Sequence, residues 1–281
     1  MTTETLLGVR AGLLDCIQAN LAVLADRHLG PDTHLALGAD LRFQPAPGPF
    51  GLPTVEPGVT SQVGDAVRAV GLTTRLRRSE VTVSELRELA AGHPVLYAVA
   101  DAYHLSWLPY FRRRHMQHSF LVEDAVGGAG ITDAYHNVTP WGTAEPGRWY
   151  VPWTELPTAS LVTVLEPDDE RAPARPRLLL EDSGDYIAAY RGHPERAEAL
   201  NRLTTETWLL ARSRKLHGAF RAAASGGENE VVTGHLKRWE QIATQAFVTL
   251  RRVERGMAEP PGLLGDLRAA LDADHDVFTV A

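Results

Sequence analysis

Three side chains of this sequence have the types and the order of a nucleophile, a base and an orienting carboxylate: Cys16, His118 and Asp133. Cys16 follows Asp15 and opens the run Cys-Ile-Gln-Ala-Asn-Leu-Ala-Val-Leu-Ala-Asp-Arg-His. Ile17, Leu21 and Leu24 recur there at the spacing of one helical face, which predicts an amphipathic helix with the sulfur at or near its N-terminus. At such a terminus, unpaired backbone N–H groups and the positive end of the macrodipole favour thiolate over thiol. As the single cysteine of the chain, it has no internal disulfide partner and is a poor basis for a metal site. That leaves a nucleophile or a small buried hydrophobe.

A thiol nucleophile needs a base, and the base needs an orienting partner. Among eleven histidines, His118 opens a strand-like run, and the hairpin that follows brings Asp133 back at the matching end. Imidazole and carboxylate can then meet across neighbouring strands. His115 is the rival base and Asn137 the rival orienter, whereas His34, His104 and His136 read as structural or rim residues. A nucleophile on an early helix, a histidine on a later strand and a carboxylate on the next is the layout of papain-like cysteine enzymes. No His-Glu-x-x-His or paired-cysteine spacing occurs, so no metal site and no bound cofactor are expected.

The elements that must position these groups are legible in outline. The Cys16 helix is expected to run to about His28 and stop at Gly30-Pro31. Residues 34–44 alternate like a strand around Gly38, and a Pro/Gly-rich loop follows to about Gly58. Residues 62–71 and 83–91 read as short helices, the second capped by Thr82 or Ser84. Strands are expected at 94–100, 118–126 and 131–135, the last two joined by Gly127-Gly128-Ala129-Gly130, and again at 148–152 and 160–165. The segment 166–177 holds three prolines and seven charges and reads as a connector. Beyond it the pattern is helical, near 181–191, 194–222, 228–256 and 263–273, with Leu200, Leu203, Trp208, Trp239, Ile242, Phe247 and Leu250 as an apolar stripe. The expected fold class is therefore α+β: a papain-like domain over 1–165, with its N-terminal helix packed on a mostly antiparallel sheet, a linker over 166–177, and an all-helical lid or substrate domain over 178–281.

Composition narrows the function classes. Hydrophobic residues make up 44% and charged residues 22%, and the net charge is −7. The acidic balance argues against nonspecific binding of nucleic acid or anionic membranes. No stretch approaches the roughly 20 apolar residues of a transmembrane helix. The opening Met-Thr-Thr-Glu-Thr lacks the features of a signal peptide, so a reducing cytoplasm is expected.

The chain also resembles the butirosin acyltransferase (BtrH-like) family, distant relatives of the peptidase C39 and papain-like group. The resemblance is carried by Asp15-Cys16 and its helix and by Leu37-Gly38-Ala39-Asp40-Leu41-Arg42-Phe43. Pro94-Val-Leu-Tyr-Ala-Val-Ala-Asp101-Ala-Tyr103-His-Leu105, Pro109-Tyr110, His118-Ser-Phe-Leu-Val and Asp133-Ala-Tyr-His-Asn137 complete it, over roughly residues 8–165. It implies Cys16 as nucleophile, His118 as general base and acid, and Asp133 as its orienter. It further implies acyl transfer from a carrier-protein phosphopantetheine thioester to a small-molecule amine in specialised-metabolite biosynthesis, with an off-loading cyclase, a thioesterase or a peptidase/amidase as alternatives on the scaffold. Arg10 stands where papain-like enzymes often carry an upstream glutamine, so an oxyanion hole would use the Cys16 N–H with Arg10 or Gln18. The histidine's following turn departs too, with Glu123-Asp124 where the family more often has Gly-Tyr-Asp. Arg112, Arg113 and Arg114 form a local basic patch suited to docking an acidic acyl or peptidyl carrier protein, extended by Arg75, Arg77 and Arg78. Trp107, Tyr110 and Phe111 beside it are candidates to line an acyl channel.

Overall fold

A computed structural model describes residues 6, 8–227 and 229–280. The N-terminal pentapeptide read above lies outside the described residues. In chain order the helices are α1 (Gln18–Leu29), α2 (Val59–Ala69), α3 (Val83–Gly92), α4 (Gly184–Gly192), α5 (Arg196–Ser225), α6 (Glu230–Val253) and α7 (Leu263–Val280). The strands are β1 (Asp40–Phe43), β2 (Ala46–Pro47), β3 (Pro53–Thr54), β4 (Leu72–Val81), β5 (Leu96–Asp101), β6 (Gln117–Ala125), β7 (Gly128–Asp133), β8 (Asn137–Thr139), β9 (Gly142–Ala144), β10 (Gly147–Val151), β11 (Ala159–Pro167) and β12 (Arg177–Leu180). The chain is thus mixed α and β, with a mostly antiparallel sheet and helices at the C-terminal end. Among the described residues no helix is long and apolar enough to cross a membrane.

Two compact units emerge: one break, between Ala174 and Arg175, falls within the expected linker 166–177, and residues 38–57 leave the linear order to join the C-terminal unit. Met1–Leu37 with Gly58–Ala174 forms the first, and Gly38–Pro57 with Arg175–Ala281 the second. The reason lies in β1, which pairs parallel with β12 from Asp40↔Arg177 to Phe43↔Leu180. The expected strand over 34–44 is accordingly split, with a 3-10 turn over Thr33–Gly38 preceding the short β1.

The first unit is built on a six-stranded sheet in the order β10-β7-β6-β5-β11-β4, and every neighbouring pair is antiparallel. Leu96–Ala100 of central β5 are closed to solvent on both faces. Edge strand β4 was not anticipated: Leu72–Val81 is mostly exposed and polar, carrying Arg75, Arg77 and Arg78, and shows no half-buried alternation. Helix α1 packs on β6, β7 and β11 and is buried from Ala19 through Asp26 rather than on one face. Its alanines allow close approach, and its buried polar side chains are bonded: His34 N–H donates to Asp26 Oδ1 at 2.9 Å, and His34 Nδ1 lies 2.7 Å from Oδ2. Helix α3 begins at a capping box, with the Glu85 N–H donating to Thr82 Oγ1 and the Thr82 N–H to Glu85 Oε2.

The β6–β7 hairpin pairs Ala125 with Gly128, so its turn is Val126-Gly127, with Gly127 at φ 86°. The expected four-residue glycine turn is therefore too long. Gly128 and Gly130 lie inside β7, where a Cβ on Gly128 would come within 2.7 Å of the Tyr150 ring. That ring crosses the strand to donate its hydroxyl to Val126 O at 2.7 Å.

In the second unit, Leu200, Leu203, Leu210, Trp239, Ile242 and Leu267 form the apolar centre of the helices. Phe247, expected on the buried stripe, is 41% exposed. Arg214 and Asp274 are completely buried but paired, and Asp274 also accepts from the Trp239 indole N–H.

Candidate active site

Asp15 organises the entry into α1. Its Oδ1 accepts the N–H groups of Ile17 at 2.8 Å and Gln18 at 2.9 Å, and Gln18 Oε1 accepts the Asp15 N–H at 3.2 Å. This is a reciprocal cap formed by an Asp-x-x-Gln sequence, and the first helical bond runs from the Ala19 N–H to Asp15 O at 3.0 Å. Gln62 Nε2 donates to the other carboxylate oxygen at 2.7 Å. Cys16 therefore sits in the capped turn that leads into α1, near the helix N-terminus where the sequence puts it. However, the N–H groups of Ile17 and Gln18 are committed to Asp15 and are not oxyanion donors.

The sheet explains why Cys16 borders the stretch of β6 that carries His118. β7 stops at Asp133, so β6 loses its partner over its first residues. The first turn of α1 takes that place: the Ser119 N–H donates to Cys16 O at 3.3 Å, the Ser119 hydroxyl donates to the same oxygen at 2.6 Å, and Cys16 Sγ donates to Gln117 O at 3.3 Å. Alternate residues of a strand point their backbone groups the same way. Cys16 thus occupies the open edge of β6 across Gln117 and Ser119, the two neighbours of His118.

His118 is completely buried, and its Nε2 lies 2.7 Å from Asp133 Oδ2. The Trp107 indole N–H donates to that same oxygen at 3.0 Å. Oδ1 accepts the Tyr135 N–H at 3.0 Å and Asn20 Nδ2 at 3.2 Å. Burial alone would raise the Asp133 carboxyl, but the charge and hydrogen bond of His118, with the Tyr135 N–H and the Asn20 amide, outweigh it and hold it below its ordinary value. A carboxylate that accepts on both oxygens requires the proton on Nε2 of a neutral His118. The basic lone pair is then on Nδ1, which is buried and has no hydrogen-bond partner. Tyr97 closes the floor, donating its hydroxyl to Ile17 O at 2.8 Å, and burial pushes its phenol far above the ordinary range.

Neither a protein-family model nor a curated protein matches the chain.

The remaining expected site residues lie elsewhere. The Arg10 guanidinium pairs with Asp32 at 3.3 Å and is half exposed, while its backbone N–H donates to His34 Nε2 at 3.2 Å. It is tied to the loop after α1. Gln18 has its carbonyl on the Asp15 N–H, which leaves its Nε2 as the donor of that pair. Asn137 donates to the Tyr110 hydroxyl at 3.0 Å, and it is Asp133 that holds the imidazole. His115 pairs with Asp101 at 2.6 Å and stacks on Tyr103 in an exposed position. Arg112, Arg113 and Arg114 are exposed on a turn, with Arg112 at φ 55°. Trp107 stacks on Trp149.

Two members of the cluster were missed. Asn20 was passed over because a polar residue within a helical run gives no sign of burial, and Trp107 was read for its ring rather than its N–H. A cavity of about 570 Å³ opens at the same end of the sheet, lined by Tyr103, His104, Ser106, Phe111, Arg112 and Glu155 among others, and none of Cys16, His118 and Asp133 lines it. Among the described residues no group of three or more His, Cys, Asp or Glu is gathered as metal ligands would be.

Proposed function

We propose that this chain is a cysteine-dependent acyltransferase on a papain-like scaffold. It takes an acyl or peptidyl group from a carrier-protein phosphopantetheine thioester and delivers it to a small-molecule amine in specialised metabolism. The observation that carries the reading is the imidazole of His118, bonded through Nε2 to an ionised Asp133 and bare at a buried Nδ1, on the stretch of β6 that Cys16 borders. The resemblance to the butirosin acyltransferase family supplies the donor and acceptor classes.

In this mechanism the thiol turns from Gln117 O toward Nδ1 and gives up its proton there. The sulfur adds to the thioester carbonyl, and the tetrahedral oxyanion takes a hydrogen bond from Gln18 Nε2. The carbon–sulfur bond to the donor breaks, His118 protonates the departing phosphopantetheine thiol, and acyl-Cys16 remains. An amine then attacks while Nδ1 accepts its proton, the bond to Cys16 breaks, and an amide leaves. Asp133 stays ionised and steadies the imidazolium. The cavity at this end of the sheet, with Arg112 and its aromatic lining, suits the approach of a charged arm.

The solvent-closed state of His118 and Asp133 favours transfer over hydrolysis, because water must be excluded for an amine to win the acyl group. A releasing cyclase would differ only in drawing its nucleophile from the acyl chain itself, whereas a thioesterase or a peptidase needs water at this position. Intact-mass spectrometry after incubation with acyl-loaded carrier protein and with acyl-N-acetylcysteamine thioesters tests the proposal. A mass gain on the wild type that is absent from Cys16→Ala is expected. No gain with any acyl donor, or turnover by Cys16→Ala, overturns it.

A further inference from the structure

We infer that Asn20 is a positioning residue of this site, a carboxamide that substitutes for one rung of the β6–β7 ladder and so holds the two strands apart where the chemistry occurs. The inference rests on the reading of Cys16 and His118 given above. β6 and β7 pair in a single register that includes Leu121↔Thr132 and Val122↔Ile131. Continued, that register sets Ser119 opposite Ala134. Instead, Ser119 O accepts from Asn20 Nδ2 at 2.8 Å, and the Ala134 N–H donates to Asn20 Oδ1 at 3.0 Å. A side-chain amide carries the same donor and acceptor as a peptide group, so it satisfies both strands without loss of a hydrogen bond.

Two consequences follow from this wedge. The edge of β6 beside Ser119 stays open, and Cys16 fills it. The Asn20 amide also reaches Asp133 Oδ1 and the Ser119 hydroxyl, each at 3.2 Å. One completely buried side chain, one helical turn beyond Cys16, thereby ties the helix that carries the thiol to both strands that carry the base and its orienter. Aspartate lacks the donor, serine lacks the reach, and an aliphatic residue would leave Ser119 O and the Ala134 N–H to pair with each other and displace Cys16.

Because the chain has one cysteine, alkylation by iodoacetamide followed across pH reads Cys16 alone, without knowledge of the substrate. It would be measured on the wild type, His118→Ala, Asn20→Ala and Asn20→Asp, with hydrogen exchange at Ser119 and Ala134 followed in parallel. The wild type is expected to show a reactive limb near neutral pH that His118→Ala abolishes, and Asn20→Ala to lose at least about tenfold of that reactivity. In Asn20→Asp the introduced carboxyl is a donor only when protonated, so its reactivity relative to the wild type falls as pH rises through that titration. This isosteric variant also serves if Asn20→Ala does not fold. Asn20→Ala with the wild-type profile and unchanged exchange overturns the inference. Identical profiles for wild type and His118→Ala would instead overturn the Cys16–His118 reading. In that case altered exchange at Ser119 and Ala134 in Asn20→Ala still supports the wedge, and unchanged exchange refutes it.

Discussion

The imidazole of His118 reaches Asp133 diagonally across the β6–β7 hairpin, with Nε2 2.7 Å from Oδ2, while the register continues so that Phe120 is the residue opposite Asp133. Because the carboxylate is acceptor-only, this contact assigns the proton to Nε2 and the basic lone pair to Nδ1. Asp133→Asn replaces the acceptor by an amide and allows the opposite tautomer. Acyl-Cys16 formation, followed by rapid-quench mass spectrometry, is expected to slow by about 10²–10⁴-fold with the fold retained. A rate within about twofold of the wild type would remove Asp133 from the mechanism.

Asp15 has opposing effects on stability and reactivity. It caps α1 through the N–H groups of Ile17 and Gln18, so Asp15→Ala should cost about 1 kcal/mol in urea unfolding. The same change removes an anion next to the thiol and frees two first-turn N–H groups, so alkylation of Cys16 at neutral pH should become faster. Asp15→Asn keeps a capping oxygen and should recover most of the stability. Slower alkylation in Asp15→Ala would contradict the electrostatic account.

Acid should weaken the fold in two pH windows. His217 donates through Nδ1 to Gly38 O at 2.6 Å and buries Nε2 without a partner, and burial pulls its pKa from 6.5 down to about 4. The unfolded chain therefore binds the extra proton, and stability present above pH 6.5 is lost as pH falls toward 4, by about 3 kcal/mol in total. Asp133, held below its ordinary value, contributes stability that is present above the carboxyl range and lost as pH falls through it. Urea unfolding across pH should show the first window vanish in His217→Asn and the second shrink in Asp133→Asn. An unchanged pH profile in His217→Asn would refute the first assignment.

Gly38 faces the backbone of α5, where a Cβ would lie 2.7 Å from the carbonyl carbon of Leu216 and closer still to its oxygen. A peptide group in a helix cannot step aside, so Gly38→Ala is expected to destabilise the second unit by about 1–3 kcal/mol. Chemical denaturation followed by the fluorescence of buried Trp239 would read it, and a neutral result would show that the helix moves.

Charge reversal of Arg112, Arg113 and Arg114 tests the partner. With all three changed to glutamate, KM should rise for carrier-bound acyl donors and stay unchanged for acyl-N-acetylcysteamine. Equal effects on both donors would rule out docking through this turn.

The candidate chemistry was readable because its determinants are local. Asp15 and Gln18 cap a helix three residues apart, so Cys16 is placed by its own neighbours. The strand that carries His118 and the one after it are joined by a tight turn with a glycine at φ 86°, which returns Asp133 to the same end of the sheet. Edge strand β4 escaped notice because exposure on both faces erases alternation, and the buried sides of α1 escaped because alanine and asparagine carry no apolar signal.

By itself, then, the sequence determined which residues could act as nucleophile, base and orienter, and which secondary elements hold them, since caps, turns and periodicity act over a few residues. Only the tertiary structure decided that residues 38–57 join the C-terminal helices, through the pairing of Asp40–Phe43 with Arg177–Leu180. It also decided that α1 enters the sheet where β7 ends, with the Asn20 amide bridging Ser119 and Ala134. Both are contacts between segments 99 or more residues apart, and no spacing along the chain encodes which distant backbone group a buried amide will satisfy.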